Sequence, residues 1–210
     1  MLRLLGRFGS INVRKALCAA EEAGVALAHE AEWGADGPGA RALTEAGFRA
    51  LNPNGLVPVL LGAGAPLWES HAIMRFLAET GGAEALRGGG DARGRAATDQ
   101  WLDWLGTELN PAWRPAYLAR VKGAAFAAEA VAASERDWNA RMALLDAALA
   151  QTGAWIAGET FTLADIALGL AAHRWRKTPI SRPDLPAVAD WLARLDARPA
   201  FARCAPPDLP

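Results

Sequence analysis

The 210-residue chain has one tyrosine, two cysteines, three histidines and a formal net charge of −1. Each shortage removes a class of function. Cys18 and Cys204 stand far apart and form no Cys-x-x-Cys, so neither a disulfide framework nor a dithiol motif is expected. His29, His71 and His173 are scattered, which is not metal-ligand spacing, and no bound metal is expected. A net charge near zero argues against a nucleic-acid partner. No apolar run reaches the roughly 18 residues that a membrane span requires. The opening MLRLLGRFGS is too short in its apolar part for a secretory signal, so a reducing cytoplasm is expected. Leu5 to Gly9 also lacks the glycine pattern that cradles phosphate.

What is present is ordinary globular material, 52% hydrophobic and 21% charged, enough for one large domain or two small ones. Leu2 to Leu5 reads as a strand. Val13, Ala16, Leu17 and Ala20 recur at helical spacing before a stop at Gly24. Val25 to Glu30 reads as a second strand, residues 33 to 41 as a loop, and Thr44 to Leu51 as a short helix. The turn residues Asn52-Pro53-Asn54-Gly55 precede the apolar run Leu56 to Leu61, which contains Pro58. Proline has no N–H for a ladder, so Pro58 belongs at a strand start or edge, or on a cis bond. Gly62 to Pro66 turns, Leu67-Trp68 forms a short strand, and a helix runs from Ser70 to about Thr80. The order is β-α-β-α-β-β-α.

Glycines at 81, 82, 88, 89 and 90 mark a connection. The expected organisation is an α/β domain over residues 1–80, a linker over 81–91, and an all-helical domain over 92–210. Asp91 suits an N-cap, with Ala97, Trp101, Trp104, Leu105 and Leu109 as the apolar stripe behind it. Pro111 and Pro115 are expected to end or kink that helix. Ala124 to about Thr152 follows, with Trp138, Met142, Leu145 and Leu149 on one face. Thr162-Leu163-Ala164-Asp165 reads as a structural capping box. Pro186 suits the first turn of a helix over Ala187 to Arg198, which Pro199 ends.

Two strands thus deliver Glu69-Ser70 to a helix N-terminus, where free N–H groups and the positive dipole end can hold a carboxylate. The patterns NPNG-x-VPVL and W-E-S-x-A-I-x-R-F-L resemble the glutathione-binding half of a glutathione transferase. W-I-A-G-x-x-F-T-L-A-D-I-A-L, from Trp155 to Leu168, resembles that family's buried capping motif. His173-Arg174-Trp175 and Pro179-Ile180-x-Arg182-Pro183 resemble a bacterial branch of it. The resemblance implies a thioredoxin-like first domain with a cis peptide before Pro58. It implies that the Val57 backbone pairs with the cysteinyl part of glutathione and that Glu69 and Ser70 take its γ-glutamyl end. Glutathione would be a co-substrate, with no tightly bound cofactor. Relatives pair as homodimers through the helix after Ser70 and the one beginning near Asp91. The acceptor site is expected between the domains, with Trp104, Trp113, Tyr117 and His173 as candidates, each also readable as core packing.

Such chemistry needs a thiolate, and a free thiol with a pKa of about 8.5 is only a few per cent ionised at neutral pH. Donors aimed at sulfur from a helix N-terminus supply the difference. Ser10 and Asn12 hold that position, although Ser10 also reads as a plain helix cap. Tyrosine-type relatives carry their tyrosine near the N-terminus, whereas the single tyrosine here is Tyr117. Cysteine-type relatives carry Cys where this chain has Ser10. The chain therefore resembles the serine- or asparagine-type bacterial enzymes. Relatives also meet the glycine carboxylate of glutathione with a basic or amide side chain from the loop after the second strand. This chain departs from that pattern, offering Glu32, Asp36 and, late in the loop, Arg41 as a substitute from a shifted position. The expected function is addition of glutathione to small hydrophobic electrophiles. The alternatives are glutathione-dependent reduction of disulfides or peroxides, and a non-catalytic ligand-binding protein of the same fold.

Overall fold

The structure, a computed structural model, describes residues 1–210, which divide into two units, Met1–Arg87 and Gly88–Pro210. In the first, the elements are β1 Leu2–Leu5, α1 Ile11–Glu22, β2 Leu27–Glu30, α2 Ala46–Leu51, β3 Val59–Leu61, β4 Leu67–Trp68 and α3 Ser70–Thr80. A single 3-10 turn, Glu84–Arg87, follows. The sheet order is β2-β1-β3-β4, with β1 parallel to β2 and antiparallel to β3, and β4 antiparallel to β3. This is the expected α/β unit of thioredoxin-like order.

Strand alternation splits β1 between two cores. Leu4 joins Val13, Ala16, Ala20, Leu60, Ile73 and Leu77 under α1 and α3. Leu5 joins Trp33, Phe48 and Val59 on the opposite face, under α2. Each such buried side chain contributes about 1.5–3 kcal/mol, which is why so short a strand holds its place. The third strand is shorter than the apolar run suggested. Pairing starts at Val59, and the Val57–Pro58 peptide ahead of it is cis. The 33–41 loop is closed by a bridge between Trp33 and Arg41.

The second unit is helical: α4 Ala92–Trp104, α5 Asn110–Lys122, α6 Ala128–Thr152, α7 Leu163–Lys177, α8 Pro186–Asp196 and α9 Pro199–Cys204. Asp91 caps α4, its Oδ1 accepting from the Gly94 N–H at 2.7 Å. The buried face of α4 and its continuation is Thr98, Leu102, Leu105 and Leu109; Leu105 and Leu109 were expected, whereas Thr98 and Leu102 stand in place of Ala97, Trp101 and Trp104. Trp101 and Trp104 stand half-buried beside that face.

Pro111 and Pro115 do not end the helix. A π-helical segment, Leu105–Leu109, leads straight into α5, where Pro111 occupies the first turn and Pro115 the interior. Widening the turn ahead of Pro111 removes the need for its missing N–H. Beside Pro115, the buried Ser134 hydroxyl of α6 accepts from the Ala116 N–H at 3.0 Å and donates to the Ala112 carbonyl. A side chain thus completes the strained stretch of the ladder. Pro199, read as a stop, opens α9.

Trp138, Met142, Leu145 and Leu149 are buried along α6. At the start of α7, Asp165 Oδ1 accepts from Ile156 N–H at 2.9 Å and Trp191 Nε1–H at 3.0 Å. Its Oδ2 accepts from Thr162 N–H at 2.9 Å and the Thr162 hydroxyl at 3.1 Å. Burial pushes this carboxyl up, and the four hydrogen bonds oppose that.

Candidate functional site

The turn from β1 to α1 is set by Gly6, at φ 142°. A Cβ there would stand 2.6 Å from Val13 Cγ2 and 2.7 Å from Val57 Cβ, closer than any side chain tolerates. Glycine therefore lets the end of β1 lie against both α1 and the segment before cis-Pro58. Ser10 is the N-cap of α1, with extended φ −80° and ψ 121°, and its side chain makes no capping bond. Its carbonyl accepts from Arg14 N–H at 3.1 Å, so the helix starts on the backbone and the hydroxyl is left over. Asn12, in the first turn, is half-buried. No acidic residue occupies that turn, so nothing neutralises its positive end. A hydroxyl, an amide and helix N–H groups here can stabilise an anion.

The second helix start is that of α3. Glu69 precedes it at φ 70° and is the one non-glycine residue with positive φ. Such a backbone costs about 1–3 kcal/mol and persists where surrounding structure demands it, often at binding sites. Glu69 is exposed while Ser70, the first residue of α3, is buried. This turn also carries no acid. A carboxylate beside a hydroxyl and a bare helix N-terminus suits a zwitterion, with the ammonium held by one group and the carboxylate by the others.

α1 packs on α3, and Lys15 of the first donates to His71 Nε2 of the second at 3.2 Å. His71 is pushed down to about 2 by burial, then by the charges of Lys15 and Arg75. Its ring is therefore neutral, as an acceptor to an ammonium must be. Across the unit, Arg7 donates to the Gly34 carbonyl, and the Arg41 guanidinium lies 3.7 Å over the Trp33 ring.

In the helical unit, Trp113 and Tyr117 meet edge to face at 5.3 Å, and Arg174 lies over them at 4.8 Å and 4.2 Å. Trp104 pairs instead with Trp101 at 5.4 Å. His173 is 1% exposed. Its Nε2–H donates to the Leu209 carbonyl at 2.8 Å, while Nδ1 accepts from Arg176 at 3.1 Å. Of the four aromatic and histidine candidates, the structure brings together Trp113 and Tyr117. Trp104 and His173 belong to separate contacts. Arg174 was in a recognised sequence motif but carried no signal that it would stack on both rings. No group of three His, Cys, Asp or Glu side chains is arranged to hold a metal, and no helix is long and apolar enough to cross a membrane.

Comparison with known proteins places these features in a family. The glutathione S-transferase N-terminal domain profile matches residues 9–80, and the C-terminal domain profile matches residues 128–194. Glutathione S-transferase GstB of Escherichia coli strain K12 is 34% identical, over 97% of each chain. The theta class glutathione S-transferase of Xanthomonas axonopodis pv. citri, solved with glutathione bound, superposes with a TM-score of 0.88 at 38% identity. That match covers 100% of this chain and 99% of the other. Disulfide-bond oxidoreductase YfcG of Escherichia coli strain K12 is 29% identical over 73% of each chain. With both domain profiles matched and a curated relative aligned over nearly the whole length, the chain belongs to the glutathione S-transferase family.

Proposed function

We propose that this protein lowers the thiol pKa of glutathione and adds the thiolate to small hydrophobic electrophiles, as a serine/asparagine-type transferase. One observation carries the reading: the Ser10 hydroxyl is not spent on capping α1, although it stands at an N-terminus free of acidic residues. Each unit of pKa depression requires about 1.4 kcal/mol of preferential anion stabilisation. Two side-chain donors, Ser10 and Asn12, with the helix dipole are of the right size for that. Val57 lies outside the sheet ladder, so its backbone is available to the cysteinyl amide, with Pro58 fixing its direction. Glu69 takes the γ-glutamyl ammonium, and Ser70 with the start of α3 takes the carboxylate. Arg41, propped on Trp33, is the cation for the glycine carboxylate. Trp113 and Tyr117 supply aromatic surface to the acceptor, whereas Trp104 and His173, which belong to separate contacts, are assigned to packing. Thr162 and Asp165 belong to folding.

Residues 1–80 would hold glutathione and residues 92–210 the acceptor, joined by 81–91. Exposed Leu56 and half-exposed Trp101 and Trp104 favour a homodimer, which sedimentation at micromolar concentration tests against the 22.2 kDa chain mass. Cytoplasmic glutathione is the intended co-substrate, with no tightly held cofactor.

The functional test is calorimetry with glutathione, followed by turnover with an aromatic halide and with a small disulfide. Addition to the halide is expected. Exchange with the disulfide alone would favour the reductase reading, which the likeness to the disulfide-bond oxidoreductase supports. Binding without either turnover would leave a ligand-binding protein.

A further inference from the structure

His29 lies on β2, in register with Leu4 of β1, and its Nε2–H donates to the Gly6 carbonyl at 2.7 Å. The Gly6 N–H donates to the Glu30 carbonyl at 2.9 Å, and the next N–H, of Arg7, donates to the Trp33 carbonyl at 2.9 Å. Gly6, the residue just past β1, is therefore clamped on both polar groups from β2. The two clamps differ in kind. The Gly6 N–H bond continues the sheet, whereas its carbonyl lies past the last ladder pair and is held by a side chain.

That side-chain bond matters because the held residue is a glycine. Without a Cβ, the peptide after Gly6 has rotational freedom that any other residue would lack, yet Val13 and Val57 leave no room for a Cβ. The conformation must then be fixed from outside. Three parts of the proposed thiol site depend on it. The chain from Gly6 leads to Ser10, Val13 directly follows Asn12, and Val57 packs against Gly6. Nε2 donates from one neutral tautomer and from the imidazolium alike.

We propose that His29 is a positioning residue of the thiol-activating turn: its bond to the Gly6 carbonyl keeps Ser10 and Asn12 aimed at the glutathione sulfur. This rests on the function proposed above. His29→Phe keeps the ring and loses the donor. His29→Gln places an amide N–H at the reach of Nε2. Loss of one neutral hydrogen bond corresponds to roughly a fivefold effect. The folded His29→Phe protein is expected to bind glutathione with KM within about twofold of wild type. Its bound thiol pKa should rise, with kcat/KM at pH 6.5 down about fivefold. His29→Gln should recover the wild-type thiol pKa.

A contribution to fold stability alone would lower the unfolding midpoint and leave the bound thiol pKa unchanged, which would overturn the proposal. So would equal impairment of the Phe and Gln variants. If His29→Phe fails to fold, nitrogen-15 imidazole spectra of the wild-type protein decide. The Nε2 proton of His29 should be protected from exchange and should shift when glutathione is added; an unprotected, unresponsive proton overturns the assignment. Wild-type protein that takes up no glutathione in calorimetry would overturn the functional reading and the inference with it, before any variant is made.

Discussion

Lys15 Nζ stands 3.2 Å from His71 Nε2, joining α1 to α3 by a bond in which the ammonium donates and the neutral imidazole accepts. Each of these helices begins at a proposed glutathione contact, so the bond ties one helix start to the other. The same bond requires the ring to stay unprotonated. In the unfolded chain His71 takes up a proton near its ordinary 6.5, whereas in the folded protein it does so only at about 2.

The contribution of His71 to stability is therefore complete above about pH 6.5 and is lost progressively as pH falls from there towards 2. Between neutral pH and pH 5 the loss from this one group is at most about 2 kcal/mol, less where solvent screens it. Urea midpoints measured at both pH values check this. His71→Gln, which keeps an acceptor for Lys15, should lose less stability on acidification than wild type. An equal loss in both proteins would assign the acid sensitivity to other groups.

Glu69 pairs a proposed glutathione contact with an unfavourable backbone, φ 70° on a residue with a Cβ. Glycine removes the strain, offset by the greater freedom it adds to the unfolded chain. Glu69→Gly is expected to raise stability by up to about 1 kcal/mol. Loss of a charge-assisted contact should at the same time weaken glutathione binding by roughly 10- to 150-fold. Thermal melts and calorimetry on one preparation test both halves. A variant that is less stable and binds normally would contradict the assignment of Glu69.

Much of this fold was legible because its signals are local. The run from Asn52 to Ser70 contains turn residues, a proline and an acid-hydroxyl pair whose order dictates β3, β4 and the start of α3. Leu2 to Leu5 and the α1 periodicity were equally direct. The failures involve tertiary partners. Pro111 and Pro115 carry a helix-breaking signal, which a π turn and the Ser134 hydroxyl, 18 residues from Ala116, override. The first half of the α4 stripe differs from the expected one because Trp101 and Trp104 outweigh Thr98 in hydrophobicity, yet the smaller Thr98 is the one buried. In the candidate site, the places of Ser10, Asn12 and Glu69-Ser70 at the starts of α1 and α3 were readable from the sequence, while their roles stand as proposals. The Lys15–His71 bond spans 56 residues and the His29–Gly6 bond 23. No local pattern announces either.

Asp165 and Ser134 offer a graded test of buried polar satisfaction in the helical unit. Asp165→Ala would leave the N–H groups of Ile156, Thr162 and Trp191 and the Thr162 hydroxyl without their acceptor. An expected cost is about 3–5 kcal/mol. Ser134→Ala removes one donor and one acceptor from the α5 ladder, at a cost of about 1–3 kcal/mol. Denaturant unfolding should place the two variants in that order. The reverse order would mean that the proline-containing helix, and not the capping carboxylate, is the weaker point of the unit.

Ser10 and Asn12 flank the first residue of α1, and the deciding quantity for both is the pKa of bound glutathione's thiol. A hydrogen bond to a charged group contributes about 1.5–3 kcal/mol, or roughly one to two pKa units. Ser10→Ala and Asn12→Ala should each raise the bound thiol pKa, and the double variant should raise it further. The single effects need not add, because either donor can partly replace the other near a polarizable sulfur. Thiolate absorbance of bound glutathione, titrated from pH 5 to 9, gives the pKa directly. The addition rate measured at each pH should track the same ionisation. A Ser10→Ala protein with an unchanged pKa and an Asn12→Ala protein with a raised one would make the amide the principal donor. A double variant that still binds glutathione with an unchanged thiol pKa would remove both side chains from the chemistry. Activation would then fall to the backbone N–H groups and dipole of α1, leaving Ser10 and Asn12 as packing residues at its start.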